Sequence, residues 1–119
     1  MFRSLLASAL VILFGLFLSA CEQSQDLEQR LSQAQSLTPK SSELNAIYQR
    51  SCVACHANSD TQAPLVGDSK AWQPRLDKGM ETLLEHVVSG YAGMPPFGLC
   101  MDCSEAEFEQ LILFMAQAQ

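Results

Sequence analysis

Apolar positions are spread unevenly along the chain, and their spacing marks out its segments. Leu5 to Leu18 is an almost unbroken apolar run behind a lone cation, Arg3. From Glu22 the chain turns polar, and only Leu27, Leu31 and Ala34 fall at helical spacing. So few apolar partners leave a short helix marginal in water. Leu44, Ile47 and Tyr48 then open an amphipathic helix that Ser41 or Ser42 can cap. The following stretch to Gly79 is dense in Gly, Pro, Asp and Ser and predicts loop, with one short helical turn near Ala71. Leu83, Leu84, Val87 and Val88 share one face of a second helix, and Gly90 is placed to end it in a left-handed cap. Beyond another loop, Ser104 and Glu107 form a capping box, each satisfying free N–H groups of the first turn. Phe108, Leu111, Ile112 and Met115 then line a last helix. No alternating strand pattern competes, so the prediction is an all-α chain of three main helices joined by long loops.

The first segment has the layout of a secretory signal: a basic start, an apolar middle, and small residues before Cys21. The apolar run is short of the about 20 residues that a membrane span needs, and Ser8 and Gly15 dilute it. Leu18-Ser19-Ala20-Cys21 resembles the lipobox of bacterial lipoproteins. That resemblance implies cleavage after Ala20 and acylation of Cys21, anchoring the chain to a membrane through several acyl chains where one alone is marginal. An uncleaved anchor helix, or a plain signal with an incidental cysteine, are the alternatives. The expected organisation is a signal over residues 1–20, an acylated N-terminus and flexible tether over 21–39, and a folded domain over 40–119.

Charge narrows the partners. The formal net charge is −6, and losing the signal would remove Arg3 and no acid, so the exported form is more acidic still. With no basic run anywhere, nucleic acid is excluded as a partner. An acidic exported protein meets basic patches on other proteins instead. Export also means an oxidising compartment, where cysteines are modified or paired.

A domain of roughly 80 residues with this much irregular chain buries little surface, and such domains need a metal, disulfides or a cofactor to stay folded. Cys52-Val53-Ala54-Cys55-His56 answers that need. C-x-x-C-H is the attachment motif of c-type haem. Cysteines at i and i+3 lie on one side of a helical turn, so both sulfurs reach the two vinyl groups of one porphyrin. The next residue turns its imidazole toward the iron. A thioredoxin-like dithiol expects a βαβ pattern, and none is seen. A zinc site could recruit Cys100 and Cys103, but they lie much further along the chain than the about 15–20 residues usual in zinc ribbons.

A second axial ligand can come from Met80, Met94, Met101, Met115 or His86. Met115 lies on the apolar face of the last helix and reads as core, and His86 falls off the apolar stripe of its helix and reads as surface. Met94 stands in Ala92-Gly93-Met94-Pro95-Pro96. The first proline holds Met94 extended, two together stiffen the loop, and Gly93 lets the backbone approach a bulky group. A His56/Met94 pair fills both axial positions and favours Fe(II), which points to electron transfer and away from oxygen or peroxide chemistry.

With "CVACH", "APLVGDSKAW", "GMPPFG" and "DCS" in place, the chain resembles class I c-type cytochromes, and more narrowly the cytochrome c5 group, over roughly Ser42 to Met115. The resemblance implies the all-α class I cytochrome c fold around one covalent haem c. It implies Cys52 and Cys55 as thioether carriers, His56 as proximal ligand and Met94 as distal ligand. It further implies that the Pro64 carbonyl accepts a hydrogen bond from the proximal imidazole, that Trp72 and Arg75 contact a haem propionate, and that Cys100 and Cys103 form a disulfide. The function it implies is single-electron transfer between respiratory proteins facing the periplasm, without a small-molecule substrate or enzymatic activity. The lipobox and polar tether depart from the soluble members and suggest a membrane-anchored version. A haem subunit or sensor acting only within a larger complex is the alternative.

Overall fold

The computed structural model describes residues 24–117, so the expected signal and Cys21 lie outside the described residues. Those described are helical and irregular, with one isolated antiparallel bridge, Tyr91 to Met94. A first helix, α1, covers 24–36. A second begins at Ser42, where the Ser41 hydroxyl accepts from the Leu44 N–H at 3.4 Å, so Ser41 is the cap. It runs as α2 (Ser42–Ile47), a π-helical turn (Tyr48–Cys52) and α3 (Val53–His56). The wide turn is closed by the Val53 N–H on the Tyr48 carbonyl. Turns of this kind gather at functional sites, and this one ends on Cys52.

Helix α4 (Ser69–Leu76) is longer than the single turn its sequence suggests. Asp68 starts it, its carboxylate accepting from the Ala71 N–H at 3.2 Å. Buried Trp72 gives it one strong anchor. Helix α5 (Met80–Ser89) buries Leu83 and Val87 while Val88 stays 40% exposed, so its apolar stripe is narrower than the sequence pattern predicts. Gly90 ends it at φ 81° and ψ 150°, which is positive φ but not the expected left-handed cap. The reason for glycine is space: a Cβ there would lie 3.0 Å from the Met94 carbonyl oxygen and 3.1 Å from the Pro96 ring.

Helix α6 (Glu105–Gln117) carries the core, burying Phe108, Leu111, Ile112 and Met115 as its period requires. Its capping box is formed, with the Ser104 N–H donating to Glu107 at 2.7 Å and the Glu107 N–H to the Ser104 hydroxyl at 3.4 Å. Tyr48 meets Phe114 edge to face at 5.3 Å, fixing the cysteine-bearing segment against α6. The loop between α3 and α4 is tied to the same helix by the Gly67 N–H on the Met115 carbonyl at 2.8 Å.

The polar stretch read as a tether is different in the structure. Over 24–36 it is helix, and Ala34 is fully buried while Leu31 and Leu37 pack on the core. Tertiary contact supplies what the isolated segment lacks, as it does for most protein helices.

Candidate haem site

The candidate site draws on three segments: the turn bearing Cys52, Cys55 and His56, and the loops from Asn58 to Asp68 and from Tyr91 to Cys103, each of which contacts that turn. Cys52 is half-buried and Cys55 exposed, and both are free thiols. Burial, with a smaller push from Cys55 and against the pull of Arg50, raises the Cys52 thiol to about 11. It is a poor thiolate at neutral pH, unlike the activated cysteine of a thiol–disulfide enzyme. Cys100 and Cys103 are bonded to each other, which removes them as zinc ligands.

His56 is buried at 7% exposure. Its Nδ1 lies 2.8 Å from the Pro64 carbonyl oxygen, so Nδ1 carries the proton and donates. Nε2 is left with its lone pair free for a metal, the tautomer that a ligating histidine needs. Burial holds the imidazole below its usual value; the Pro64 hydrogen bond opposes this and Arg75 reinforces it. The neutral, coordinating form is therefore favoured. The loop is braced around the ring: the Val66 N–H bonds the His56 carbonyl at 2.9 Å, and the Thr61 hydroxyl bonds the Cys55 carbonyl at 2.8 Å.

Trp72 stacks on the His56 ring with centroids 5.8 Å apart, and its indole N–H donates to the Leu65 carbonyl at 2.9 Å. That donor is thus spent on the backbone rather than held out for a propionate. Arg75 donates to the Ala71 carbonyl and lines a cleft with Pro64 and Leu65.

Met94 is half-buried in a loop whose backbone is clamped. Tyr91 and Met94 exchange both N–H···O bonds, at 3.1 and 2.9 Å, across a turn with Ala92 at φ 51°. The methionine methyl lies 3.1 Å from where a Cβ on Gly98 would stand, so glycine leaves that side chain its space. Met80 and Met115 are packed with the core, and Met101 is 72% exposed on the outer surface. His86 is not free on the surface: its ring stacks on Tyr91 at 3.9 Å.

Sequence reasoning missed Arg50. Its guanidinium makes two 3.0 Å bonds to Asp102 and one at 3.2 Å to the Cys100 sulfur, joining the cysteine-bearing turn to the disulfide loop. Arg50 holds the Asp102 carboxyl below the usual carboxylate range. Nothing local in the sequence marks this pair, because its partners are far apart in the chain.

The residues fit a haem c. Two adjacent thiols have no mutual bond, the imidazole is buried with Nε2 free, and a thioether is cradled by glycine. The buried Tyr48 hydroxyl also has no hydrogen-bond partner among the described residues, which suits a bound group carrying acceptors.

Comparison with known proteins agrees with this geometry. The family described as "Cytochrome C oxidase, cbb3-type, subunit III" matches residues 39–115. Cytochrome c5 of Azotobacter vinelandii is 46% identical over 63 residues, covering 51% of this chain and 76% of the relative. Cytochrome c5 of Ectopseudomonas mendocina is 39% identical over 72 residues, covering 59% and 83%. Cytochrome c-555 of Chlorobaculum tepidum is 36% identical over 74 residues, covering 59% and 68%. A solved structure titled "Crystal structure of electron transfer complex of nitrite reductase with cytochrome c" contains a chain 34% identical, with a TM-score of 0.55 over 67% of this chain and 95% of that one. The chain belongs to the matched family of c-type cytochrome domains, and within it is a class I, cytochrome c5-like electron carrier with covalently bound haem c.

Proposed function

We propose that this cytochrome is exported, tethered to a membrane by lipid on Cys21, and relays single electrons between periplasmic redox proteins. Within the domain, Cys52 and Cys55 would hold the haem as thioethers, and His56, through Nε2, and Met94 would be the residues that bind its iron. The bound haem supplies the Fe(II)/Fe(III) couple. Pro64 fixes the imidazole and keeps its Nδ1 proton, and the Tyr91–Met94 clamp presents the thioether with little freedom left to lose. With both His56 and Met94 bound, the iron would offer no site to oxygen.

The observation that supports this reading is the 2.8 Å contact between His56 Nδ1 and the Pro64 carbonyl, which leaves the other ring nitrogen free to bind a metal. Carbon monoxide tests it. Reduced protein at neutral pH is expected not to bind the gas, whereas rapid binding would mean an open iron and remove Met94 from its role.

Tethering rests on Leu18 to Cys21, and no helix among the described residues is long and apolar enough to cross a membrane. Cys21→Ala is expected to release the protein from membranes; tight retention would point to an intact anchor helix. For partners, the acidic charge favours redox proteins with basic patches, and the similar cytochrome in complex with nitrite reductase offers a precedent of kind. The family description favours a second reading, a haem subunit of a larger oxidase assembly. A full-length protein that purifies as a monomer and exchanges electrons freely with added cytochromes would count against it.

A further inference from the structure

Helix α1 precedes the matched segment of 39–115, yet it is bound to the loop that orients His56. Arg30 reaches Asp68 at 2.8 Å, where the aspartate side chain is only 7% exposed. Asp68 uses its other oxygen to start α4, and its own N–H bonds the Leu65 carbonyl at 3.1 Å, the same carbonyl that receives the Trp72 indole. Further along α1, the Gln35 amide reaches the Ala57 carbonyl at 3.5 Å, next to His56 in sequence. Leu27 and Arg30 face Pro64, Leu65 and Arg75 across a cleft of about 210 Å³. Both ends of the loop that holds the imidazole are therefore touched by one helix.

We propose that α1 is a strap across the proximal loop, and that Arg30 is a positioning residue for His56, acting through Asp68 and the Leu65–Pro64 backbone. This rests on His56 being the proximal ligand. A nearly buried carboxylate needs its cation: breaking such a pair leaves a charge uncompensated, and the loop must open to hydrate it. The consequence is local. It falls on the segment from Pro64 to Asp68, not on the α6 core.

The experiment uses the full-length, haem-loaded protein and compares Arg30→Ala, Arg30→Gln and Arg30→Lys. Native-state amide exchange separates local from global opening. In Arg30→Ala the Val66 and Gly67 amides are expected to lose about tenfold protection while Leu111 and Ile112 keep theirs. The hyperfine-shifted ring resonances of His56 should move as well, and Arg30→Lys, which keeps a charge beside Asp68, should restore most of both. If Arg30→Ala fails to mature, Arg30→Gln gives the same comparison. Equal loss at all four amides would make α1 only a general stabiliser, and no change at Val66, Gly67 or the His56 ring would make it a passenger; either result overturns the proposal. The absorption spectrum reports iron ligation independently, so failure of the strap is distinguishable from failure of the ligand assignment.

Discussion

At the scale of single residues, the chemistry is set by what each side chain is prevented from doing. Pro64 keeps His56 from using Nδ1 as a ligand, and burial disfavours protonation of the ring. Gly98 and Gly90 keep bulk away from Met94 on two sides. Met94→Ala is expected to lower the reduction potential and open the iron to carbon monoxide, checked by redox titration; an unchanged potential would place the ligand elsewhere. Gly90→Ala combines a strained positive φ with contacts of 3.0–3.1 Å to backbone and a proline ring, none of them a flexible tip. It should cost about 1–3 kcal/mol in denaturant unfolding. The haem c was legible in the C-x-x-C-H run because the meaning of that motif is local. The commitment of Trp72 to Leu65, the stacking of His86 on Tyr91 and the Arg50–Asp102 pair were not, because each depends on a partner brought near only by folding.

Among the elements, the Ser41 and Ser104 caps and the α6 stripe were legible, whereas the end of α5 and the loop geometry were not. The Ser104/Glu107 box forms as its spacing requires, and it makes helix α6 sensitive to acid. Hydrogen bonds from the Ser104 backbone and hydroxyl hold the Glu107 carboxyl below its usual value. Its stabilisation is therefore full above the ordinary glutamate range near 4.3 and is lost as pH falls through the lower folded value. Glu107→Gln should flatten that part of the acid unfolding curve while keeping the helix; an identical curve would show the box contributes nothing. The disulfide closes a small ring, so replacing Cys100 and Cys103 by serine should cost only about 2 kcal/mol in chemical denaturation. Helix α1 read as marginal because Leu27, Leu31 and Ala34 look insufficient until the core that Leu31 and Ala34 pack on is known. The π-turn at Tyr48–Cys52 has no sequence signal at all, because one widened turn leaves the helical period on either side intact.

For the whole molecule, the fold class follows from a simple shortage: helices this few and loops this long need something large and apolar between them. The described core is centred on α6, with the three site segments arranged beside it. Cys52→Ser with Cys55→Ser is therefore expected to yield little far-ultraviolet helical signal and no cooperative melt; a folded apoprotein would show that the haem is not structural. The negative charge belongs to this scale too, and electron exchange with basic partners should slow as salt rises. The account stands or falls on axial ligation by His56 and Met94, and the oxidised absorption spectrum reads it directly. The haem-loaded protein should show the weak long-wavelength charge-transfer band of methionine sulfur on ferric haem, and Met94→Ala should abolish it. A wild-type spectrum without that band, or a Met94→Ala spectrum that keeps it, would contradict the account.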